Sequence, residues 1–434
     1  MLPAAELERL VESYAGAYRD RVYSPLATLG LFIGQALSAD GACQDAVARN
    51  LSERTTRAGR ACSLNTGPYC KARQRLPLEL IVALSRAIAR RMERSQPAGW
   101  RWHGRSVKLL DGTTVSMPDT PANQQAFPQS RAQQPGLGFP LARVVAIVSL
   151  GNGAVLDWAM GPYQGKDTSE QALFRQLLGA LDRGDIVLAD RYHCTYWTLA
   201  MLKAHGVDVL MRQHVSRSHD FRRGKRLGRG DHVVQWRRPQ RPPWMDKQTY
   251  AAMPKSLSVR EVRVHGRVLV TTLLDARTAP PAELEQLYRS RWNIEVDLRS
   301  IKAEMGMDIL RCKSPQMIHK EVAVYLLAYT LVRALMAQAA SLAQVLARAL
   351  SFKGATQILN AYHQQLRHSA AGRLSLMIAH VLGAVSMLRL PQRPNRVEPR
   401  AIKRRPKPHR LLLIPRPLAR LQILAQRPLV KVVP

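Results

Sequence analysis

The chain has 434 residues, of which 65 are Lys or Arg and 31 are Asp or Glu, so its formal net charge is +34. Its length predicts two or three domains, because a single hydrophobic core stops growing at about 250–300 residues. A hydrophobic content of 46% excludes wholesale disorder. The surplus charge would repel itself unless it meets a polyanion, which disfavours an ordinary metabolic enzyme. Nucleic acid is therefore the first expected partner, ahead of an anionic membrane.

A membrane protein is not expected. The longest apolar stretch, VAVYLLAYTLV at 322–332, has 11 residues, whereas a bilayer-spanning helix needs about 20. The first residues, MLPAAELERL, contain no basic segment followed by an apolar core, so no secretory signal is predicted. The five cysteines are odd in number and scattered, without a CxxC pair. This usage favours a reducing cytosol and predicts no zinc site.

Residues 1–100 are predicted to be helical. Apolar residues recur at steps of three and four, at Leu78, Ile81, Leu84, Ile88 and Met92. Shorter helical patterns cover 26–36 and 46–51. Six basic residues lie between these helices: Arg54, Arg57, Arg60, Lys71, Arg73 and Arg75. They form either a DNA-gripping surface like that of a helix-turn-helix or the solvated face of a helical bundle, and the sequence leaves both open.

Residues 101–212 change to the pattern of strands. The runs SVKLLDGTTVSM, LARVVAIVSLG and AVLDWAMG predict three adjacent strands. A helix should follow, opened by a capping box at 167–170. The strand DIVLAD, a helix over 196–205 and the strand VDVLMRQ come next. Three strands followed by alternating helix and strand are typical of a mixed sheet covered by helices, an α/β fold.

Residues 213–280 are interpreted as a β-rich insertion. The segment up to Trp244 is dense in Arg, Gly and Pro, and short strands are predicted at 258–264 and 268–274. Its charge cluster is either a solvated hairpin or a phosphate-contacting loop. Because Trp236 and Trp244 lie among arginines, we favour contact with nucleic acid.

Residues 281–388 are again predicted to be helical, and the chain beyond Leu390 alternates Pro with basic residues. Such a composition indicates an unstructured basic arm that binds DNA by counterion release.

Two aspartates end apolar strands. Asp111 lies in VKLLDGTT and Asp190 ends DIVLAD. A buried carboxylate needs a partner or a cation, and two from neighbouring strands would make an oxygen-ligand site for Mg²⁺. Each alone could instead cap a helix or a turn.

The segment LEQLYRSRWNIEVDLRSIKAEM, 284–305, predicts an amphipathic helix. At 100° per residue, four side chains fall within about 80° of arc beside its apolar face: Arg291, Glu295, Arg299 and Lys302. Asp297 falls on the opposite side and is excluded from the site. The alternative is an ordinary helix with an Arg291–Glu295 pair.

Tyr288-x₂-Arg291-x₃-Glu295-x₆-Lys302 resembles the YREK motif of insertion-sequence DDE transposases of the IS-4 family. Asp111-Gly-Thr-Thr and Asp190-Arg-Tyr are similar to the two aspartate blocks of that family. The resemblance covers about residues 105–335. It implies an RNase H-like catalytic core, a mixed sheet flanked by helices, with a β-rich insertion between Asp190 and Glu295 and helical N- and C-terminal regions.

The residue patterns, together with this resemblance over the core, suggest a division of the chain into six parts. They are a helical DNA-binding region at 1–100, the first part of the core at 101–212, the insertion at 213–280, the second part of the core at 281–335, a helical region for dimerisation at 336–388, and a basic Pro-rich tail at 389–434. Within the helical region, we expect 374–388 to form the dimer contact, because it lacks an evident partner in the core.

The resemblance also implies a function. The enzyme would bind the terminal repeats of an insertion sequence, cleave the DNA ends by two-metal hydrolysis and transfer the 3′-hydroxyl ends into target DNA. Asp111, Asp190 and Glu295 would be catalytic and hold two Mg²⁺ (or Mn²⁺) ions. The expected DNA contacts are Tyr288, Arg291, Lys302, Arg299 and Trp292. Trp292 would either stack on a displaced base or pack at the helix edge.

The expected partners are double-stranded DNA and a second copy of the chain in a synaptic homodimer, with no membrane. The expected location is the bacterial cytoplasm, with the nucleoid. Two alternatives remain open from the sequence: a nuclease of the same fold that cleaves without joining, and a non-catalytic DNA-binding derivative.

Overall fold

The computed structural model describes residues 2–18, 22–56, 62–391 and 412–426. The chain begins with five helices, among which the periodic residues of 78–92 lie on the longest. They are α1 (Ala4–Ala15), α2 (Pro25–Leu37), α3 (Cys43–Thr56), α4 (Gly67–Arg75) and α5 (Leu78–Arg94). Helix α5 buries Ile81, Leu84, Ile88 and Met92. Its buried face, like those of α1 and α2, joins the same hydrophobic core as the central sheet, whereas α3 and α4 form a second, smaller cluster with Leu31 of α2.

The central sheet begins with the three predicted strands. In chain order the elements are β1 (Val107–Ser116), α6 (Pro121–Ala126), β2 (Leu141–Ser149), β3 (Val155–Pro162), α7 (Glu170–Arg175), β4 (Ile186–Ala189), α8 (Tyr196–Ala204) and β5 (Asp208–Arg212). These strands lie in the order β3-β2-β1-β4-β5. Strand β2 is antiparallel to its neighbours, whereas β4 and β5 run parallel to β1. This is an α/β fold with the strand order of RNase H-like cores.

The predicted insertion consists of strands, and these extend the core sheet instead of forming a separate one. Its elements are β6 (Lys225–Gly228), β7 (Asp231–Arg237), α9 (Lys247–Ala252), β8 (Ser256–Val264) and β9 (Arg267–Thr271). Strand β9 pairs antiparallel with β5, and the order continues through β8 and β7 to β6. The result is one nine-stranded sheet.

The second half of the chain is helical, as the periodicity predicts. Its helices are α10 (Pro281–Arg289), α11 (Asn293–Arg299), α12 (Pro315–Leu342), α13 (Phe352–His368), α14 (Ala371–Met387) and α15 (Arg416–Gln426). Helix α12 is long and apolar enough to cross a bilayer by length and composition, but 78% of its most apolar window is buried. It packs against α5, α2 and α14 as the central helix of the fold.

Two predictions about these helices are wrong. The single helix expected over 284–305 is interrupted by a 3₁₀ turn at Ser290–Trp292 and ends in a π-helical turn at Ser300–Glu304, where the amide of Met305 bonds the carbonyl of Ser300. The wider turn keeps both Ile301 and Met305 buried. Side-chain directions beyond residue 299 therefore do not follow the 100° per residue of an α-helix.

The tail expected to be unstructured beyond Leu390 contains α15. After Pro417, which a first helical turn tolerates, the sequence LARLQILAQ has no helix breaker and is rich in good helix formers. Residues 392–411 and 427–434 of this tail lie outside the described residues.

Candidate active site

The two predicted aspartates lie just beyond the paired part of two neighbouring parallel strands. Asp190 directly follows β4 as expected, but Asp111, expected at the end of its strand, lies in the middle of β1, which continues to Ser116 in pairing with β2. Leu109 of β1 is in register with Leu188 of β4, so Asp111 and Asp190 each follow two residues after a paired position. Asp111 accepts a hydrogen bond from the amide of Gly112 (2.8 Å). Asp190 accepts one from the amide of Tyr192 (2.9 Å) and so caps the short 3₁₀ turn that ends β4. Local backbone geometry thus orients both carboxylates.

The proximity of these carboxylates destabilises their charged forms. The pKa of Asp111 is raised to about 6, chiefly by burial and also by the negative charges of Asp190 and Glu170, although the amide of Gly112 and the guanidinium of Arg291 oppose the increase. Repulsion between carboxylates in a partly buried site favours either a shared proton or a bound cation. The candidate metal-ligand atoms are all carboxylate oxygens, the ligand type that Mg²⁺ and Mn²⁺ prefer. The charge and chemistry of the site therefore fit a divalent cation.

Glu295 joins this pair through an arginine. The Nη2 of Arg291 donates to Oε1 of Glu295 at 2.6 Å, and its Nη1 lies 3.6 Å from Oδ2 of Asp111. The Arg291–Glu295 pair foreseen as an alternative is therefore present, but it extends to Asp111. Among the described residues, no group of three His, Cys, Asp or Glu side chains has already converged as a metal site. Arg291 instead supplies the positive charge between Asp111 and Glu295.

The other residues of the motif differ in how deeply they are buried. Tyr288 is half-buried. Burial and the charge of Asp190 raise its pKa, and Arg291 opposes this increase, so the phenol lies within the electrostatic field of the site. Lys302 is half-buried in the π turn, whereas Arg299 is exposed on α11. Trp292 has an exposed fraction of 51%, which leaves its ring accessible at the helix edge.

Glu170 is a nearby acid whose contacts the sequence did not predict, and it lies against Gly112, on the face of β1 opposite to the Asp111 side chain. The capping-box interpretation took it as part of a helix start, but Ser169 alone is the N-cap and accepts from the amide of Ala172. Glu170 lies 3.9 Å from Arg143 and 3.9 Å from His193. Burial and the charge of Asp190 raise its pKa. Its position depends on the loop between β3 and α7, which no local pattern encodes.

Asp297 lies away from the three candidate acids, as the helical wheel predicts. It is fully buried, and Oδ1 accepts from the Tyr329 hydroxyl (2.7 Å), from Arg333 (2.6 Å) and from Arg348. This carboxylate ties α11 to α12 and to the segment before α13.

One of the two tryptophans predicted to contact nucleic acid is wrong, and the other stays a prediction. Trp236 is buried in the sheet, where its indole N–H donates to Glu261 (3.0 Å) and Arg217 covers its ring. Trp244 is partly exposed, with Arg175 at 3.9 Å from its ring centroid.

Arg73, expected on the basic helical surface, is also buried. Its guanidinium stacks on Phe32 at 3.9 Å and donates to the sulfurs of Cys43 and Cys312. It fills an internal position because Phe32 offers an aromatic face there. Arg57 and Arg60 of the same predicted surface lie outside the described residues.

Comparisons with known proteins agree with the family resemblance. The family model of the transposase DDE domain matches residues 102–331, more than half of the chain. Transposase InsG for insertion sequence element IS4, from Escherichia coli K12, is 29% identical over 350 residues, which cover 77% of this chain and 76% of the relative. A cryo-EM structure of a piggyBac transposase synaptic complex with hairpin DNA aligns with a TM-score of 0.42 and 8% identity, over 87% of this chain and 80% of that one. The matched region contains Asp111, Asp190 and Glu295, and the chain belongs to the DDE transposases of the IS-4 family.

Proposed function

We propose that this DNA transposase binds the terminal repeats of an insertion sequence, cleaves the DNA ends hydrolytically and transfers the 3′-hydroxyl ends into target DNA. The observation that carries the proposal is the placement of Asp111 and Asp190 on adjacent parallel strands, with Glu295 linked to Asp111 through Arg291. Acids that converge from separate elements are what two-metal phosphodiester cleavage requires.

Asp111, Asp190 and Glu295 would hold two Mg²⁺ or Mn²⁺ ions, which when bound activate the attacking oxygen and stabilise the leaving one. Arg291 and Lys302 would hold phosphate oxygens next to the scissile bond, and the phenol of Tyr288 would donate a hydrogen bond to a phosphate. Arg299 and Trp292 are exposed on the same segment, where they would contact the DNA backbone and a displaced base.

Strand transfer is tested with precut terminal-repeat duplexes and supercoiled target DNA in Mg²⁺. We expect covalent joining of the 3′ ends to the target. Cleavage of uncut ends without joining would select the nuclease alternative. Binding of ends without cleavage in any divalent cation would select the non-catalytic alternative.

The motif cations should matter more for cleavage than for DNA affinity. Arg291→Ala and Lys302→Ala should each slow cleavage at least about tenfold, because each removes a charge-assisted contact near the reacting phosphate. Total affinity should change by less than about threefold, since two cations are few beside the remaining basic residues. Gel-shift and cleavage assays on the same duplex measure both quantities.

Arg289→Ala is the matched control, because Arg289 is exposed on the same segment and pairs with Glu285. It should leave both measurements near the parent values. An equal loss of binding and cleavage in the Arg291 and Lys302 variants would contradict a role at the scissile phosphate.

We also propose that the active form is a homodimer on paired DNA ends, in the bacterial cytoplasm and with no membrane partner. The segment 374–388 was expected to lack a partner, but α14 packs on α12 and α13 and buries Val381 and Val385. Its opposite face still exposes Leu376 and Met387, with exposed fractions of 59% and 76%. This face is the proposed dimer contact.

Light scattering should therefore find one chain per particle without DNA and two chains with two end-duplexes. The like charges of free chains repel until DNA neutralises them. A complex of one chain with a synapsed pair of ends, and with cleavage intact, would rule out the dimer.

A further inference from the structure

We propose that Cys43 and Cys70 form a redox-modification site, at which a peroxide converts the two thiols into a reversible disulfide. Their sulfurs lie 3.9 Å apart, although the residues are 27 positions apart in the chain. Cys43 is the first residue of α3 and Cys70 lies on α4. Both side chains are half-buried, so neither is sealed from solvent. The inference goes beyond the proposed function, because it concerns the N-terminal helices and not the candidate active site.

The two thiols already face each other in the reduced protein. The Cys70 thiol donates to the Cys43 sulfur. A disulfide brings two sulfurs to about 2.0 Å, so this pair has to approach by about 2 Å. Rotation about the Cα–Cβ bond of either cysteine moves its sulfur by that distance from one staggered rotamer to the next. The disulfide can therefore form without separating α3 from α4.

Arg73 makes Cys43 the sulfur that reacts first. Its Nη1 donates to the Cys43 sulfur at 3.0 Å. Reactive cysteines have a cation beside the sulfur and some contact with solvent. Burial and the neighbouring Cys43 raise the pKa of Cys70, so that thiol keeps its proton until the second step. Arg73 also contacts the sulfur of Cys312 at 3.1 Å. Burial and the charge of Glu321 raise the pKa of Cys312, which keeps it as an unreactive thiol.

The reaction has two steps and consumes one hydrogen peroxide. In the first, the Cys43 thiolate attacks a peroxide oxygen: an S–O bond forms, the O–O bond breaks, and the departing hydroxide takes up the proton that the thiol has lost. In the second, the Cys70 sulfur attacks the sulfenic acid on Cys43: an S–S bond forms, the S–O bond breaks, and the departing hydroxide takes the Cys70 proton. Two electrons pass from the thiols to the peroxide, which leaves as two waters.

The disulfide would stabilise a part of the fold that has a small core. The cluster between α2, α3 and α4 has these buried members among the described residues: Leu31, Ala46, Val47 and Tyr69. A covalent link contributes most where few apolar contacts hold the segments together, because it restricts the unfolded chain. Helix α4 also carries the exposed Lys71 and Arg75, whose position relative to α3 the link would fix. In a reducing cytosol the pair stays reduced, as is typical of redox-sensing thiols.

The inference is tested on the full-length protein treated with hydrogen peroxide. Alkylation under denaturing conditions, followed by peptide mass spectrometry, counts the free thiols and identifies the linked pair. We expect two of the five free thiols to be lost, in one disulfide between Cys43 and Cys70 that dithiothreitol reverses. Amide hydrogen exchange in α3 and α4 should slow at least about tenfold in the oxidised protein, because local opening is then restricted.

The two serine variants separate the roles of the cysteines. In Cys70→Ser, peroxide should convert Cys43 into a sulfenic acid, which a 1,3-diketone reagent traps. In Cys43→Ser, Cys70 should remain a free thiol under the same conditions. In both variants, peroxide should leave the exchange rates of α3 and α4 unchanged.

Cys62→Ser is the matched control, because Cys62 is another half-buried cysteine of the same region, with Asn50 at 3.7 Å from its sulfur. It should still form the Cys43–Cys70 disulfide and show the same slowing of exchange. A treated parent that keeps all five thiols, links another pair or forms only disulfides between chains would overturn the inference. So would a Cys43–Cys70 disulfide without slower exchange in α3 and α4. The parent alone decides these outcomes, so a variant that fails to fold leaves the test intact.

Discussion

Replacing Asp111, Asp190 or Glu295 with the matching amide should abolish cleavage of DNA ends while leaving the binding of those ends nearly intact. An amide keeps the size of each side chain but removes the negative charge that holds a cation. We expect the cleavage rate to fall by more than about a thousandfold in each variant, as for other residues that act as one catalytic unit. Single-turnover cleavage in Mg²⁺ measures this effect.

Binding should persist because DNA affinity has a different origin. The chain carries a net charge of +34, and a lost acid removes repulsion with phosphate rather than attraction. Gel shifts should therefore show affinity equal to or slightly above that of the parent. Any amide variant that still cleaves within about tenfold of the parent would exclude its residue from the triad.

Asp220→Asn is the control for a general effect of removing an acid. Asp220 lies in the insertion, is about one-third exposed and pairs with Arg222 and Arg223. Its loss should leave cleavage within about twofold of the parent. A large effect there would show that net charge, and not the site, governs the rate.

The sequence predicts these three acids because their positions depend on local patterns. Asp111 and Asp190 follow apolar runs that pair with each other in β1 and β4, and parallel pairing of those runs brings the residues that follow them to the same place. Glu295 and Arg291 are four residues apart, a spacing that places them together on a helical segment. The mixed sheet follows from the order of strand and helix patterns.

The missed features depend on contacts distant in sequence. Glu170 approaches Gly112 only after the chain from β3 folds over β1. Trp236 lies among arginines in the sequence, but it pairs with Leu257 in the sheet and faces the core. The continuation of the core sheet into the insertion depends on pairing between β5 and β9. Composition and local patterns do not predict these contacts, because each depends on the packing of segments that are distant in the sequence.

The second large effect concerns stability. Asp297→Ala should lower the free energy of unfolding by about 3–5 kcal/mol, the usual result of removing one partner from a buried ion pair. It would leave Arg333, whose side chain is 4% exposed, and Arg348 without their shared carboxylate. Urea denaturation followed by circular dichroism measures the change. Glu285→Gln, which breaks the exposed pair with Arg289, should cost less than about 1 kcal/mol.

The loss of stability in Asp297→Ala should depend on pH. Burial alone would raise the pKa of Asp297, but Arg348, Arg333 and the Tyr329 hydroxyl hold it below its usual value. A carboxyl whose pKa is lowered by folding contributes its stability above the unfolded pKa of about 3.9 and loses it as the pH falls through the folded pKa. The deficit of Asp297→Ala relative to the parent should thus be constant between about pH 5 and 8 and should narrow below about pH 4.

Asp297 differs from Glu295, two residues earlier, in what its loss should do to catalysis. Its partners lie on α12 and before α13, away from Asp111 and Asp190. At a temperature where Asp297→Ala remains folded, cleavage should therefore require the same Mg²⁺ concentration as in the parent. The cleavage rate should fall only because α11, which carries Glu295, is held less firmly against α12. An unchanged unfolding free energy combined with a raised Mg²⁺ requirement would contradict this assignment, because it would show that Asp297 acts on the cation site and not on the packing of α11 against α12.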